Sequence, residues 1–267
     1  WRRGRCLIVR IIVCVKQVPS TTEVHPDPVT NTLIRDARHS VINPFDLHAL
    51  EEAVRLKERM GGEVVVLSMG IPATEKLLRD AICRGADRAV LLTDRKFAGA
   101  DTLATSYTLS LGVKEIGQFD LVLCGKMAVD GDTAQIGPEL AEVLSIPHVT
   151  EVTRILEANE QSLTCTRTTD DAVETLKVTL PALLTVTRDI NMPRLPSIAG
   201  IKDAQGAELS VFGAGDLTLE ENRIGLEGSP TQVVRTFVPP KRGTCEMLDG
   251  SPSDQAKRLL DIVRGSA

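Results

Sequence analysis

DLVLCGKMAVDGDTAQIGPEL, residues 120–140, contains the change of pattern that decides the fold. Its first residues form a short apolar run that predicts a buried strand, and its last residues predict a helix that begins near Asp132 or Thr133. Acids, glycines, a threonine and a glutamine lie between the two. We therefore expect a strand that leads directly into a helix through a polar loop, with the side chain of Asp132 or Thr133 as the helix cap.

The same order of strand and helix occurs repeatedly before this stretch. Short apolar runs predict strands at IIVCVKQV (11–18), EVVVLSMG (63–70) and RAVLLT (88–93). Helical patterns follow at NPFDLHALEEAVRLKERMGG (43–62), at PATEKLLRDAICRGAD (72–87) and after Asp101. Parallel strands need long crossovers, so this alternation predicts an α/β fold: a mostly parallel, doubly wound sheet with helices on both faces.

The start of the first of these helices carries several signals. Asn43 is a good helix cap, and Pro44 suits the first helical position because proline lacks an N–H group. Asp46 can accept from the free donors of the first turn. We therefore expect the helix to begin at Pro44, with the side chain of Asn43 as its cap.

The pattern changes after Pro147. Alternating apolar and polar residues predict antiparallel strands at one edge of the sheet: VTEVTRIL (149–156), SLTCTRTT (162–169), VETLKVTL (173–180) and ALLTVTR (182–188). Residues 189–267 are poor in periodic apolar positions, and only DQAKRLLDIVRG (254–265) predicts a helix. We expect an α/β domain over residues 11–188 and, over residues 189–267, an arm that needs a partner surface. Residues 1–10 are set aside as a leader or artefact.

Composition excludes several classes of function. The net charge is −5 with 25% charged residues, so no broad basic surface for nucleic acid is expected. The apolar runs are far shorter than the roughly 20 residues of a membrane helix, so no membrane insertion is expected. Six cysteines without a CxxC and four histidines without ligand spacing predict reduced thiols in a cytoplasmic protein and no metal site.

Polar junctions follow three of the predicted strands. They are Lys16–Gln17, Ser68–Gly70 and Lys126–Gln135. Because the carboxyl ends of parallel strands share one edge of the sheet, where α/β folds bind ligands, these junctions are the candidate site.

Free N–H groups at the helix start after residue 131 favour an anion, usually phosphate. Gly131 would let the backbone approach a ligand, while Thr133 and Gln135 offer polar groups. A capped helix after a tight turn would satisfy the same residues without any ligand. The sequence has neither a GxGxxG nor a GxxxxGK[ST] motif, so no dinucleotide fingerprint or P-loop decides between the two.

Three segments together resemble one family. IIVCVKQVP (11–19), INPFDLHALEEAVRLKE (42–58) and GKMAVDGDTAQIGPELAE (125–142) are similar to the β subunits of electron transfer flavoproteins. The resemblance continues through GADRAVLL and LPALLTVTRDINMPRLPSI and covers nearly all of residues 10–255. It implies a nucleotide-binding or FAD-binding α/β domain that pairs with an α subunit carrying its own FAD, with the C-terminal arm packing on that subunit.

The resemblance leaves two cofactors open. Housekeeping β subunits hold AMP, whereas bifurcating ones hold a second FAD that NADH reduces. Bifurcating members send one electron through the α-subunit flavin to an acyl-CoA dehydrogenase-like flavoenzyme and the other to ferredoxin or flavodoxin. VKQVPSTTEV (15–24) with VDGDTAQIGP (129–138) resembles the bifurcating branch more closely. Since the cofactor carries the redox chemistry, no catalytic general base or nucleophile is expected.

The family's motifs imply which residues border the nucleotide. They are Cys14, Val15 and Lys16 after the first strand; Asn43, Pro44, Phe45 and Asp46 beside the adenosine; Met69 and Gly70 after the second strand; and Lys126, Asp130, Gly131, Asp132, Thr133, Ala134 and Gln135, with the phosphates on residues 130–135.

INMPRLPSI, residues 190–198, is similar to the loop through which the family binds acyl-CoA dehydrogenase partners; we call it the recognition segment. The resemblance implies that Leu195 is the anchor residue and that Arg194 lies beside it at the interface. Met192 stands where the family usually has a glutamate.

Two other classes of protein share this kind of sheet. A nucleotide-binding regulator that resembles universal stress proteins would be shorter and would lack the recognition segment and the long arm. An adenylating enzyme would have a phosphate loop rich in serine and glycine after the first strand, where this chain has KQVPST (16–21).

Overall fold

The computed structural model describes residues 9–20, 40–234, 245 and 247–265. Contacts divide the chain into two units, residues 1–233 and 234–267. Residues 1–8 of the expected leader and residues 21–24 of the motif that resembles the bifurcating branch lie outside the described residues.

The strands of the first unit form a large sheet and a small ribbon. The bounds are β1 Val9–Cys14, β2 Gln17–Pro19, β3 Ser40–Ile42, β4 Gly62–Met69, β5 Arg88–Leu92, β6 Leu121–Gly125, β7 His148–Ala158, β8 Ser162–Thr168, β9 Val173–Thr179, β10 Ala182–Val186 and β11 Leu209–Phe212. Nine strands form one sheet in the order β11-β5-β4-β1-β6-β10-β7-β8-β9, while β2 and β3 form an antiparallel ribbon.

Helices cover both faces of this sheet. They are α1 Pro44–Met60, α2 Glu75–Cys83, α3 Thr102–Ile116, α4 Ile136–Leu144 and α5 Ile198–Gly206. Successive residues of β1 point to opposite faces: Ile11 and Val13 pack on the side of α1 and α2, whereas Ile12 and Cys14 pack on the side of α3 and α4. Both faces of the central strands are therefore buried, which explains their continuous apolar runs.

The predicted fold class is confirmed. All neighbouring strands from β11 to β7 pair in parallel, and β8 and β9 extend the sheet by antiparallel pairing at one edge. The antiparallel assignment of the segment 182–188 was wrong, because β10 lies between β6 and β7 and is parallel to both. All five residues of β10 are buried, so its run is continuously apolar as in other interior parallel strands.

The first strand starts earlier and ends earlier than predicted. Val9 and Arg10, which the sequence analysis set aside with the leader, belong to β1 and pair with Gly62 and Glu63. The strand leaves the main sheet after Cys14, and residues 17–19 pair instead with β3. The pattern of apolar residues alone does not show that the chain changes its strand-pairing partner here.

The segment after residue 188 contains more regular structure than predicted. The side chain of Ser197 accepts a hydrogen bond from Gly200 N and starts α5, which packs on α2. β11 pairs in parallel with β5 as the edge strand. These short elements have few apolar residues of their own and are stabilised by packing on the larger sheet, so periodicity did not reveal them. The domain boundary at residue 188 and the role of later residues as a partner arm remain predictions.

The second unit contains the helix that the sequence predicted near its end. This helix, α6, runs over Pro252–Val263 and begins at the cap Ser251, whose side chain accepts a hydrogen bond from Asp254 N. The side chain of Gln255 donates to the carbonyl of Leu248 and fixes the preceding turn.

Substituting Gly137 tests how closely α4 packs on the sheet. A Cβ at Gly137 would lie 2.2 Å from Cγ2 of Thr185 in β10, so Gly137→Ala should lower the free energy of unfolding by about 1–3 kcal/mol. Gly206→Ala is the matched control, because a Cβ there meets nothing within 4 Å. Urea titrations should show destabilisation only for Gly137→Ala; equal midpoints for the two variants would contradict the packing.

Candidate functional site

The centre of the sheet contains a change of direction in the strand order. From β1 the chain proceeds towards β4 and β5, whereas from β6 it proceeds towards β10 on the other side. Cys14 and Cys124 are register partners where β1 and β6 end. Ligands of open α/β sheets bind outside such a switch point, at the carboxyl ends of the strands. We call this place the switch-point crevice; residues 14–17, 43–46 and 125–135 surround it.

A buried carboxylate connects the elements that meet there. Asp46, in the first turn of α1, accepts hydrogen bonds from Lys16 N at 2.8 Å and from Gly125 N at 3.1 Å. A side chain at Gly125 would collide with Asp46 and Phe45, so glycine is required for α1 to approach β6 this closely. Asp46 therefore bonds to the ends of β1 and β6 rather than capping its own helix.

The environment of Asp46 alters its charge. Burial raises the pKa of the Asp46 carboxyl from 3.8 to about 7, although hydrogen bonds from Asn43 and from the backbone of Lys16 and Gly125 act in the opposite direction. The carboxyl is therefore only partly ionised at neutral pH. A partly ionised carboxyl repels a neighbouring anion less than a fully ionised one would.

Asn43 connects α1 to the loop after β6. It occupies the cap position with Pro44 as the first helical residue, as predicted, but its side chain makes no capping bond. Instead Nδ2 donates to the carbonyl of Met127 at 2.9 Å and Oδ1 accepts from Val129 N at 3.1 Å. The predicted side-chain cap was wrong because this fully buried amide is satisfied by the loop.

Two lysines of the site are neutralised by carboxylates. Lys16 Nζ lies 2.6 Å from Asp130, and this pair joins the end of β1 to the loop after β6. Lys126 Nζ lies 3.0 Å from Glu151 of β7, and its backbone N donates to Val186. The charges of these two lysines are therefore offset, and among the described residues main-chain groups would provide much of any attraction for phosphate.

The backbone before α4 has an unusual conformation. The predicted helix start near Asp132 or Thr133 was wrong, because α4 begins only at Ile136. Asp132 and Ala134 have positive φ angles of 49° and 55°, which a regular helix excludes. Gly131 N and Asp132 N already donate to the carbonyl of Ala128.

Ala134, with its positive φ, is followed by Gln135 in a right-handed conformation. Alternation of a left-handed and a right-handed residue can form a backbone nest, in which successive N–H groups point towards one side and are able to bind an anion. We call Ala134–Gln135 the backbone nest in this sense. The first turn of α4 adds free N–H groups and the positive end of its dipole. Asp130, Gly131, Asp132 and Thr133 are exposed beside the nest.

The start of α3 fixes the start of α4. The Thr102 hydroxyl lies 3.1 Å from both Gln135 Oε1 and Glu139 Oε1, and Ser106 Oγ lies 3.1 Å from Glu139 Oε2. Sequence reasoning missed Thr102 and Glu139. The only signal for Thr102 was its position after the cap Asp101.

Other predicted residues at the end of β1 and the start of α1 are buried beside the switch point. Cys14 and Val15 are buried, and Val15 N donates to Leu67. The neighbouring Cys14 side chain and burial raise the pKa of Cys124, so Cys124 remains a thiol at neutral pH. Phe45 lies under the Arg188 guanidinium, whose carbon is 4.6 Å from the ring centre.

The junction after β4 is fixed by Thr74, which the predicted site omitted. The hydroxyl of Thr74 donates to Gln17 Oε1 at 2.6 Å and joins the residue before α2 to the first residue of β2. A Cβ at Gly70 would lie 2.4 Å from this hydroxyl. Gly70 N donates to Leu92, and Met69 is half-buried.

Arg194 and Leu195 lie on a different surface. Arg194 bonds to Glu51 and Glu58 along α1, and Leu195 is 82% exposed. In the ranges that the structure describes, no group of three or more His, Cys, Asp and Glu side chains is arranged to hold a metal ion. No helix within those ranges combines the length and apolar character needed to cross a membrane.

Fold and site together define a doubly wound α/β protein whose candidate site lies at the switch point of its sheet. Residues 30–217 match the electron transfer flavoprotein domain. The chain is 46% identical over 254 residues to "Electron transfer flavoprotein subunit beta" of Thermoanaerobacterium thermosaccharolyticum, covering 95% of this chain and 97% of the relative. It belongs to the electron transfer flavoprotein family, as a β subunit.

Two further relatives carry more specific names. "Caffeyl-CoA reductase-Etf complex subunit CarD" of Acetobacterium woodii is 45% identical, with 94% of this chain and 96% of the relative covered. "Protein FixA" of Bradyrhizobium diazoefficiens is 41% identical, with 94% and 90% covered. The resemblance found in the sequence is confirmed, and it decides against the regulator and the adenylating enzyme.

The raised pKa of Asp46 predicts a specific pH dependence. The folded chain holds this proton more tightly than the unfolded chain, so the contribution of Asp46 to stability is greatest at acid pH. It declines by up to about 1.4 kcal/mol per unit as the pH rises from about 4 towards about 7, and it levels off above that. Asp46→Asn removes this titration and also removes one of the two backbone bonds, because an amide nitrogen cannot accept a hydrogen bond.

Urea unfolding between pH 5 and pH 8 measures the effect. The stability of the wild type relative to Asp46→Asn should fall from pH 5 to about pH 7 and then level off. Parallel pH profiles for the two proteins would show that Asp46 titrates normally in the folded chain.

Proposed function

We propose that this β subunit binds FAD in the switch-point crevice and takes part in electron bifurcation with NADH as the donor. Electrons then pass to ferredoxin or flavodoxin and, through the FAD of the α subunit, to an acyl-CoA dehydrogenase-like flavoenzyme. The observation that carries the proposal is the backbone nest at Ala134–Gln135 beside the start of α4, at the switch point of the sheet.

The residues of the crevice fit an adenine nucleotide. The nest and the first turn of α4 offer N–H groups to phosphate oxygens, and a Cβ at Gly131 would meet nothing within 4 Å, so space remains beside this backbone. Asp130 and Thr133 are exposed next to it and can bond to hydroxyl or phosphate groups. Because Lys16 and Lys126 are paired with carboxylates, oriented main-chain dipoles would supply most of the affinity for phosphate.

The protein's own part in the chemistry is to bind and orient. FAD, when bound, supplies acceptance of a hydride and transfer of single electrons. Asp46 and Asn43 hold the ends of β1 and β6 and the loop after β6 in fixed relation, so the nest keeps its shape. Cys14 and Val15, buried at the end of β1, would present an apolar surface beside the nucleotide.

The names of two relatives support the finer part of the proposal. One relative is named as a subunit of a caffeyl-CoA reductase-Etf complex, which is consistent with an acyl-CoA-directed flavoenzyme as the partner of this chain. The alternative is a β subunit that holds structural AMP, because AMP would use the same nest and adenosine contacts.

Cofactor analysis of the heterodimer decides between the two. The chain is co-expressed with its α subunit, the purified complex is denatured, and the released nucleotides are counted. We expect two FAD per heterodimer; one FAD with one AMP would identify the non-bifurcating alternative. Reduction of ferredoxin by NADH that depends on an acyl-CoA acceptor would then test bifurcation itself.

Substitutions at two glycines test whether the nucleotide lies on the loop before α4. Gly131→Ala places a methyl group in space that is open in the protein, so the fold should be unaffected, but a nucleotide bound closely there should dissociate at least about tenfold more readily. Gly215→Ala, also in open space, is the control. Retention of FAD or AMP during dialysis is the measurement. Equal retention by both variants would place the phosphates elsewhere.

A further inference from the structure

The recognition segment is fixed to α1 at its first residues. Asn191 donates from Nδ2 to the carbonyl of His48 and to Glu52, both at 3.0 Å. His48 Nδ1 lies 3.0 Å from the backbone oxygen of Asn191 and 3.2 Å from its Oδ1. Because both of these atoms are acceptors, Nδ1 carries the hydrogen. One asparagine thus bonds to the helix through both its backbone and its side chain.

Three residues further along, Arg194 makes a second attachment. Its Nε lies 2.8 Å from Glu51 Oε2 and its Nη1 lies 2.6 Å from Glu58 Oε1, while Nη2 lies within 3.3 Å of a second oxygen of each glutamate. Its backbone N donates to Glu51 as well. We call this arrangement of Glu51, Arg194 and Glu58 the arginine clamp.

The clamp is electrostatically strong because one of its carboxylates is buried. The Glu51 side chain is only 4% exposed, and it is also paired with Arg55. Burial acts to raise the pKa of Glu51, but hydrogen bonds from Arg194 and Arg55 outweigh it and lower the pKa. Without Arg194, one buried carboxylate would lose its main partner, which is costly.

Two backbone carbonyl groups of the recognition segment also accept hydrogen bonds from arginine side chains. Arg84, directly after α2, donates to the carbonyl of Arg194 at 2.8 Å, and Arg55 donates to that of Met192 at 3.4 Å. In contrast, the side chains of Met192 and Leu195 are both 82% exposed. The segment therefore has a fixed backbone and presents two apolar side chains outwards.

We propose that Arg194 is a positioning residue for partner docking, which holds the recognition segment in the conformation that presents Met192 and Leu195. This inference rests on the proposed function, in which an acyl-CoA dehydrogenase-like flavoenzyme binds at this segment. It changes the role expected from the sequence, where Arg194 was an interface residue. Nε, Nη1 and Nη2 all bond to carboxylates of α1, so the guanidinium already has its acceptors within the chain. Pre-formed loops lose less entropy on binding, so the clamp should strengthen docking without touching the partner.

Hydrogen exchange tests the clamp without any partner. In the purified heterodimer, Arg194→Gln should speed exchange of the amides of residues 191–197 by about tenfold, because charge-assisted bonds that oppose local opening are lost. Arg167→Gln is the control, because it breaks the ion pair between Arg167 and Glu174. The two arginine side chains are similarly exposed, 31% for Arg167 and 34% for Arg194. Unchanged exchange in Arg194→Gln would overturn the proposal.

Kinetics separate positioning from direct contact. With a purified bacterial acyl-CoA dehydrogenase as the partner, Arg194→Gln should raise the KM for that partner about tenfold and leave kcat nearly unchanged. Glu58→Gln should raise the KM as well, and the double variant should be no worse than Arg194→Gln, because both changes open one clamp. If Glu58→Gln leaves the KM unchanged while Arg194→Gln raises it, Arg194 contacts the partner directly and the proposal is wrong.

The two proposals fail differently. Suppose that the wild-type heterodimer and Leu195→Ala have equal cofactor content, and that the wild type nevertheless exchanges no electrons with the dehydrogenase. The proposed partner is then wrong. Rapid exchange of residues 191–197 in Arg194→Gln would still establish the clamp. If the wild type is active and Leu195→Ala is impaired but both clamp variants behave as the wild type, only the positioning role is overturned.

Discussion

The hydrogen bonds of Asp46 hold together the part of the fold on which the site depends. One carboxyl group on α1 accepts from Lys16 N and Gly125 N and so joins the ends of the two central strands. Without it, the N–H groups of Lys16 and Gly125 would lack their acceptor, at a cost of about 1–3 kcal/mol for the buried N–H of Gly125. The raised pKa of Asp46 is the consequence of burying a carboxyl group there.

This arrangement explains how the proposed nucleotide site can form without a glycine fingerprint. In the proposal, phosphate lies on the backbone of Ala134 and Gln135 and on the start of α4, and these are held by Asn43 and Thr102. Charged side chains near the crevice pair among themselves, as Lys16 does with Asp130. Such a site depends on tertiary contacts rather than on one local motif. The sequence signals for it are therefore scattered over several segments of the chain.

One helix serves two surfaces of this subunit. The first turn of α1 holds the switch-point crevice through Asn43 and Asp46, while its later turns hold the recognition segment through Glu51 and Glu58. The cofactor region and the proposed docking region are thereby fixed to the same rigid element.

The sequence by itself determined the alternation of strands and helices, the start of α1 at Pro44 and the family, because periodicity and local motifs act over a few residues. Tertiary structure alone decided that α4 begins at Ile136 and that β10 runs parallel between β6 and β7. It also decided that Arg194 bonds within the chain. Each of these depends on contacts between residues far apart in sequence: burial of β10 on both faces, and a guanidinium that meets carboxylates of a distant helix. No local pattern encodes such a contact, because its free energy exists only when the two segments are brought together.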